Sequence, residues 1–362
     1  MSAFLSRISV LSFLCCLGLL TACGNEELQS TLQPTPSAFG QINSLVVIAD
    51  SSTWEAGVGD SVAYFFEAPY IILPQPEPIF DVRFIEPERV VAEPTWGQLR
   101  NYVVLADLSD EDSPTTQMVL NDLTDAKIQQ VREEGFGTAV AKNKWATGQQ
   151  LVYILGRNHD ELLTGMSNVY PGVVRRIQQG EDERMRVTTY FEGVNRRLGD
   201  TIRQLAGAQL EIPGGYDRVP LDTDSVVWLR KEVQGASLNI MLTKVPYQNQ
   251  SQLSKEGLKE IRNRLGREYV SSTTENTYMQ INDTDLPLFT EATELNGSFA
   301  IEGRGIWEIE NDFLAGPFVS YLLNDEANRE LVFVDGFVYA PGRRKRDLMA
   351  EVVQVIRTAS VN

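Results

Sequence analysis

The chain has 362 residues, and its 49 acidic and 32 basic side chains give a net charge of −17 at neutral pH. This acidic balance argues against nucleic acid and against broad anionic lipid surfaces as partners. The sequence also lacks the glycine-rich patterns that bind nucleotide phosphates, so no nucleotide and no cofactor is expected.

The N-terminus carries the strongest functional signal. After Arg7, residues 8–20 form an apolar run that is too short to span a bilayer, which takes about 20 such residues. The run ends in the four residues of a lipoprotein cleavage and lipidation site: Leu20, Thr21, Ala22 and Cys23. We therefore expect residues 1–22 to be a lipoprotein signal peptide and Cys23 to carry the lipid.

Cleavage before Cys23 would remove Cys15 and Cys16, the other two cysteines of the chain. No thiol would then remain for a disulfide, a nucleophile or a metal. A diacylglycerol together with an N-terminal acyl chain such as palmitate anchors stably, whereas one chain binds only marginally. The expected location is the gram-negative cell envelope, at the periplasmic or the surface face of the outer membrane. Glu26 and Glu27 resemble a surface-export signal, or they are solvated linker residues.

The length predicts two domains after the anchor. Residues 23–41 are polar, contain Pro34 and Pro36, and predict a flexible linker. We expect an N-terminal domain at residues 42–206 and a C-terminal domain at residues 207–362. The patterns mix strands with helices, and hairpins outnumber crossovers. The predicted fold is therefore α+β, with mixed, largely antiparallel sheets and helices packed on them.

In the N-terminal domain, a helix is predicted between the cap Thr124 and Gly135. A helical pattern also covers residues 160–205 and is broken near Pro171 and Gly172. Strands are predicted at residues 44–49, 79–85, 102–106, 138–144 and 150–155.

In the C-terminal domain, Ser254 is predicted to cap a helix that buries Leu258, Ile261 and Leu265. A last amphipathic helix is predicted at residues 344–358. Strands are predicted at residues 209–213, 225–231, 237–246, 305–313, 318–323 and 330–339.

Several blocks carry a family resemblance. They are Trp228-Leu229-Arg230, Pro246-Tyr247, Arg304-Gly305-Ile306-Trp307-Glu308, Gly316-Pro317-Phe318-Val319-Ser320, Gly336-Phe337-Val338-Tyr339-Ala340-Pro341 and, in the first half, Leu73-Pro74-Gln75-Pro76-Glu77-Pro78. Through them the chain resembles a family of bacterial envelope lipoproteins catalogued as a domain of unknown function, number 4837. Ala315 stands where a second glycine is expected. The resemblance implies an envelope location and a lipid anchor, with no catalytic residues. Separately, Ile212-Pro213-Gly214-Gly215-Tyr216 is similar to small α/β/α sandwiches of the photosystem-accessory-protein type, a likeness of fold only.

Few residues are suited to catalysis or metal binding. His159 is the only histidine, and it lies at a predicted helix start without a nucleophile elbow or a zinc motif. The acidic clusters at residues 107–112 and 282–285 lack the mid-loop glycine and closing glutamate of a calcium loop. We therefore expect no catalytic residue and no metal site among them.

Glu308, Glu310 and Asp312 alternate along a predicted strand and therefore share one face. Paired carboxylates could hydrolyse a glycoside. A strand face with three like charges is also typical of contact with water.

Arg343, Arg344, Lys345 and Arg346 form the basic run of this acidic chain. Cations at a helix start oppose the helix dipole, which favours a compensating anion. That anion could be a phosphate, an acidic glycan or acidic side chains of the same chain. Together with the predicted turn at Gly316 and Pro317, the run is the candidate binding surface.

The sequence thus favours a non-enzymatic, lipid-anchored envelope protein that acts in binding or assembly. Its expected partners are the membrane, through the lipid, and an anionic envelope component or a protein. Two alternatives stay open: a glycan-directed hydrolase that uses carboxylates, and a carrier of a hydrophobic ligand, which would need an apolar cavity.

Overall fold

The computed structural model describes residues 35–70 and 72–361. The predicted signal peptide and Cys23 lie outside these residues. Within them, no helix is long and apolar enough to cross a bilayer. The last residues of the predicted linker contact the N-terminal domain. Ala38 and Phe39 donate backbone hydrogen bonds to the carbonyl oxygens of Thr147 and Gln98, at 2.8 and 3.0 Å.

The N-terminal domain is built on a five-stranded sheet in the order β2-β1-β3-β5-β4. Strands β2, β1, β3 and β5 run parallel, and β4 pairs antiparallel with β5 as the predicted hairpin. The strands are β1 (Ser44–Ile48), β2 (Asp81–Ile85), β3 (Asn101–Asp107), β4 (Phe136–Lys142) and β5 (Gln150–Gly156). The sheet is mixed, as predicted. However, four of its five strands run parallel, whereas the sequence predicted largely antiparallel pairing.

Helices cover both faces of this sheet, and along β1 alternate side chains enter the two cores. They are α1 (Gly59–Phe66, preceded by helical turns at Ser51–Thr53 and Trp54–Val58), α2 (Pro87–Ala92), α3 (Pro114–Asp122), α4 (Asp125–Glu134) and α5 (His159–Thr189). Strands that are buried on both faces are typical of parallel sheets, which explains the continuous apolar runs of β1 and β3.

Helix α5 is continuous where the sequence predicted a break. Pro171 removes one backbone hydrogen bond. However, Leu162 and Met166 before it and Val173 and Ile177 after it are buried in the same core. Packing of this shared face therefore outweighs the local cost of the proline.

The C-terminal domain is an antiparallel sheet in the order β10-β12-β13-β14-β9-β8-β7, with β11 also paired to β12. A two-stranded sheet, β6 with β15, lies beside it. The strands are β6 (Ala208–Gln209), β7 (Asp217–Arg218), β8 (Val226–Val233), β9 (Ala236–Pro246), β10 (Tyr278–Asn282), β11 (Phe289–Leu295), β12 (Ser298–Glu310), β13 (Ala315–Asp325), β14 (Glu330–Tyr339) and β15 (Ser360–Val361).

Helices α6 (Arg196–Ala206), α7 (Lys255–Tyr269) and α8 (Arg346–Ile356) complete the domain. Helix α7 covers one face of the sheet, and α6 and α8 cover the other. The result is an α/β/α sandwich. Since α6 packs on this sheet, the boundary predicted at residues 206 and 207 falls after a helix that belongs to the C-terminal core.

A buried ion pair joins α7 to the sheet. The Arg262 Nε lies 3.1 Å from the Asp335 Oδ1, and both side chains are buried. The guanidinium also lies over the Phe318 ring, and Ser320 Oγ donates to the same carboxylate at 2.6 Å.

The two domains each combine a sheet with helices packed on it. The predicted α+β class, with two domains, is therefore confirmed.

Candidate functional site

Two of the four residues of the predicted basic run lie inside the contact between the two domains. Lys345 and Arg346 are 6% and 1% exposed. The Glu77 carboxylate of the N-terminal domain accepts hydrogen bonds from the backbone N–H groups of Lys345, at 2.6 Å, and Arg346, at 3.1 Å. A carboxylate thus binds the positive end of α8, where the first N–H groups have no partner within the helix.

The arginines of the run pair with a second carboxylate of the N-terminal domain. Asp81 accepts from Arg344 at 2.8 Å and from Arg346 at 2.9 Å, and Arg346 also binds Asp347 at 2.8 Å. Burial alone would raise the pKa of Asp81, but the hydrogen bonds from the two arginines outweigh it and hold the pKa below 3.8. We refer to Glu77, Asp81 and residues 344–346 as the interdomain clasp.

Acidic side chains of the same chain therefore pair with Arg344 and Arg346, two of the four cations, and they are one of the three anions that the sequence left open. Lys345 and Arg346 are buried, so the candidate binding surface is wrong at these two positions. Arg343 donates to the Gln234 carbonyl, and Arg344 remains about half exposed.

Gly316 and Pro317 do not form the predicted turn. Both are buried in β13, where they pair with Trp307 and Ile306 of β12. A Cβ atom at Gly316 would lie 2.1 Å from the Val338 carbonyl oxygen, so the glycine permits a close backbone contact. A Gly–Pro pair usually marks a turn, but here the strand requires the missing side chain.

The acidic strand face is engaged by side-chain amides. Gln280 Nε2 donates to Glu308 at 3.1 Å and to Glu310 at 2.7 Å. Asn282 Nδ2 donates to the other oxygen of Glu308 at 2.8 Å. Asp312 lies beyond the strand and accepts from Thr274. The two glutamates are therefore bridged by one amide and do not face each other across an open cleft.

His159 begins α5, as predicted, and its Nε2 lies 3.1 Å from the Ala56 carbonyl oxygen. In the 107–112 loop, Asp107 accepts from Ser109 and Glu111 pairs with Arg132. Across residues 35–70 and 72–361, no group of three or more histidine, cysteine, aspartate or glutamate side chains could hold a metal ion.

A pocket of about 500 Å³ opens on the α7 face of the C-terminal sheet, where β8, β12 and β14 end and β9 begins. We refer to it as the aromatic pocket. Six of the residues that line it belong to the blocks of the family resemblance: Trp228, Arg230, Trp307, Phe337, Tyr339 and Pro341. Blocks that are far apart in the sequence thus meet at one site.

The aromatic rings of the pocket pack against one another. The Phe337 ring lies edge-on to Trp307, with 6.0 Å between centroids, and 6.4 Å from Trp228. Trp307 Nε1 is buried and has no hydrogen-bond partner among the described residues. The floor of the pocket is therefore built of packed aromatic rings.

Asn239 organises the polar side of the pocket. Its Oδ1 accepts from Trp228 Nε1 and from Arg230 Nε, both at 3.1 Å. Its Nδ2 donates to the Ser237 carbonyl oxygen and hydroxyl. The side chain is buried and uses its full hydrogen-bonding capacity, so it fixes the Trp228 ring and the Arg230 guanidinium in place.

A second, larger cavity of about 1180 Å³ lies between the domains. The N-terminal domain contributes Tyr64, which is 75% exposed, and the stacked rings of Phe65 and Tyr170. The C-terminal domain contributes Phe289 and the Arg304 that pairs with Glu302. We refer to this cavity as the interdomain cleft.

Arg230 and Asn239 are not among the site residues predicted from the sequence. A signal existed for Arg230, because Trp228 and Arg230 are two residues apart on a strand and must share a face. Asn239 could not be found in this way, since its partners come from β8 and the pairing register is a tertiary property.

The comparisons with known proteins match the two domains separately. Residues 38–189 match the family described as Domain of unknown function (DUF8532). The block at residues 73–78 lies within this matched range. No curated protein matches the chain. A solved structure of a mutant of protein Mog1 is 9% identical, covering 43% of this chain and 90% of that chain, with a TM-score of 0.29. Residues 195–358 match the family described as Domain of unknown function (DUF4837), and the predicted resemblance is thereby confirmed for this part of the chain.

Proposed function

We propose that this protein is a lipid-anchored component of the cell envelope that binds a ligand in the aromatic pocket without converting it chemically. One observation carries the proposal. Residues of the family-resemblance blocks in β8, β12 and β14 line this one pocket, although other residues of the same blocks are buried elsewhere in the sheet.

The construction of the pocket supports binding. Its volume falls within the range of about 300–1,000 Å³ that is typical of small-molecule sites. It combines an apolar floor with few polar groups, and buried Asn239 fixes the groups that would contact a ligand. Such preorganisation lowers the cost of ordering a site when a ligand binds.

The hydrolase alternative has less support. A pair of catalytic carboxylates must reach a substrate on both sides of the scissile bond. Glu308 and Glu310 instead share the Gln280 amide and line neither the aromatic pocket nor the interdomain cleft.

A hydrophobic-ligand carrier is the second candidate, and the interdomain cleft favours it. Tyr64 and Phe289 expose much of their rings there, one from each domain. Exposed aromatic side chains grouped in a cavity are typical of binding surfaces.

Anchoring depends on Cys23, which we propose carries the lipid that holds the protein at the outer membrane. Metabolic labelling with a palmitate analogue tests this. The wild-type chain should incorporate label and Cys23→Ala should not. Equal labelling of the two chains would refute the anchor.

The pocket is tested with N-phenyl-1-naphthylamine, an uncharged dye that fluoresces in apolar sites. The mature chain, residues 23–362 with Cys23→Ser, would carry neither the apolar leader nor the lipid, so no detergent is needed. Ser271 is exposed where it lines the pocket, and Ser271→Trp should fill the mouth and abolish saturable binding. Ser167→Trp, at an exposed position on α5, is the matched control.

Phe289→Ala separates the two cavities. Loss of dye binding in this variant would assign the site to the interdomain cleft and support the carrier. Absence of saturable binding, or binding that Ser271→Trp leaves unchanged, would overturn the proposal for the aromatic pocket.

A further inference from the structure

We infer that Arg230 recognises an anionic group and that the ligand of the aromatic pocket is a small amphiphile, with an apolar body and one carboxylate, sulfonate or phosphodiester. This inference rests on the function proposed above. It adds the chemical class of the ligand and the residue that selects it.

The free hydrogen-bonding capacity of Arg230 is the first observation. Its Nε donates to Asn239 Oδ1, and its guanidinium carbon lies 4.7 Å from the centre of the Trp228 ring. Neither Nη nitrogen has a hydrogen-bond partner among the described residues. A guanidinium held in this way presents a planar pair of donors that suits a two-oxygen anion.

The position of this guanidinium is the second observation. The Arg230 side chain is 39% exposed, so its donors lie between the apolar floor and solvent. In the sheet, Arg230 pairs with Asn239, which pairs with Phe337 on the next strand. An anion bound to Arg230 would therefore place an attached apolar group over Phe337 and Trp307.

Glu232 limits the charge of the ligand. Its carboxylate lies 3.8 Å from Arg230 Nε and is 69% exposed. At this distance and exposure the pair is weak and does not occupy the Nη donors. The carboxylate would nevertheless repel a second negative charge, so the pocket should prefer monoanions to dianions.

Asn239 is a positioning residue in this arrangement. It is 2% exposed, and its Oδ1 holds Arg230 Nε and Trp228 Nε1 together. The donors of Arg230 are thus oriented before a ligand arrives.

The test uses two dyes with the same apolar body. 8-Anilinonaphthalene-1-sulfonate carries one sulfonate, and N-phenyl-1-naphthylamine carries none. Both would be titrated against the mature chain, residues 23–362 with Cys23→Ser. Arg230→Gln should weaken binding of the sulfonate dye by about tenfold or more, the effect of losing a hydrogen bond to a charged group. Its effect on the uncharged dye should stay within about twofold, because the apolar contacts that supply that dye's affinity remain.

Two further variants sharpen the result. Arg230→Lys keeps the charge but loses the planar pair of donors, so the sulfonate dye should bind with intermediate affinity. Arg176→Gln removes an exposed arginine of α5 that does not line the pocket, and it should change neither affinity.

Equal losses for the two dyes, or none, in Arg230→Gln would overturn the inference. Ser271→Trp distinguishes this from failure of the proposed function. If that variant abolishes binding of both dyes while Arg230→Gln affects neither, the pocket is a binding site but Arg230 does not select the anion.

Discussion

The carboxylate of Glu77 should hold the first turn of α8 closed. It accepts hydrogen bonds from the backbone N–H groups of Lys345 and Arg346 and lies 3.5 Å from Arg344 Nε. The residue is only 7% exposed, so water cannot easily take its place. Glu77→Ala would leave both N–H groups without this acceptor.

The free energy lost in Glu77→Ala follows from these two hydrogen bonds. A hydrogen bond to a charged group contributes about 1.5–3 kcal/mol, so loss of both costs at least about 3 kcal/mol. Since each 1.4 kcal/mol is a factor of ten, local opening at Lys345 and Arg346 should become roughly 100-fold more frequent. We expect the same factor in the hydrogen-exchange rates of these two amides.

The assay is amide hydrogen exchange on the full chain, read at residues 343–349. Glu88→Ala is the control, because Glu88 is an exposed glutamate on α2 outside the clasp. The expected rise in exchange rate comes from two hydrogen bonds to a charged group. Rates at Lys345 and Arg346 that rise less than about threefold in Glu77→Ala would therefore refute the described contact between the domains.

Four further variants test the packing within and between the domains. Arg262→Met leaves the Asp335 carboxylate buried without its cation and should cost about 3–5 kcal/mol in urea unfolding. Adding Asp335→Asn should recover most of this loss, and a double variant as unstable as the single one would contradict the pairing. The pKa of Asp81 lies below 3.8, so its contribution to stability is complete above that pH and is lost as the pH falls through the lower folded value. The unfolding temperature of the wild type should therefore drop more steeply below pH 3.8 than that of Asp81→Asn, and parallel curves would refute the linkage. Gly316→Ala should destabilise the chain by about 1–3 kcal/mol, because its Cβ meets the Val338 carbonyl oxygen. An unchanged unfolding temperature would show that the strands relax freely.

Local signals in the sequence predicted several elements closely. The Thr124 hydroxyl accepts from Lys127 N at the start of α4, and Gly135 ends the helix with a φ of +95°. Leu258, Ile261 and Leu265 of α7 are buried, as their spacing predicted. These features depend on neighbours within a few residues, which a single sequence records directly.

The interdomain clasp could not be predicted in the same way. Glu77 and Lys345 are 268 positions apart, and Glu77 lies in a proline-rich segment without helical or strand periodicity. The basic run showed that an anion was required, because cations at the start of α8 oppose its dipole. Which anion supplied the compensation depended on how the domains dock.

The parallel arrangement of β1, β2 and β3 was also underestimated. A short apolar strand that is buried on both faces has the same composition whether a hairpin or a crossover connects it to its neighbour, so composition alone does not give the strand direction. The continuity of α5 through Pro171 has a similar origin, because the contacts that stabilise it lie on the sheet.

The most direct test of the proposed binding site is a crystal structure of the mature chain, residues 23–362 with Cys23→Ser, grown with 8-anilinonaphthalene-1-sulfonate. We expect the dye in the aromatic pocket, with its rings over Phe337 and its sulfonate within hydrogen-bond distance of the Arg230 Nη atoms. A dye bound in the interdomain cleft, or an empty aromatic pocket at saturating dye, would contradict it.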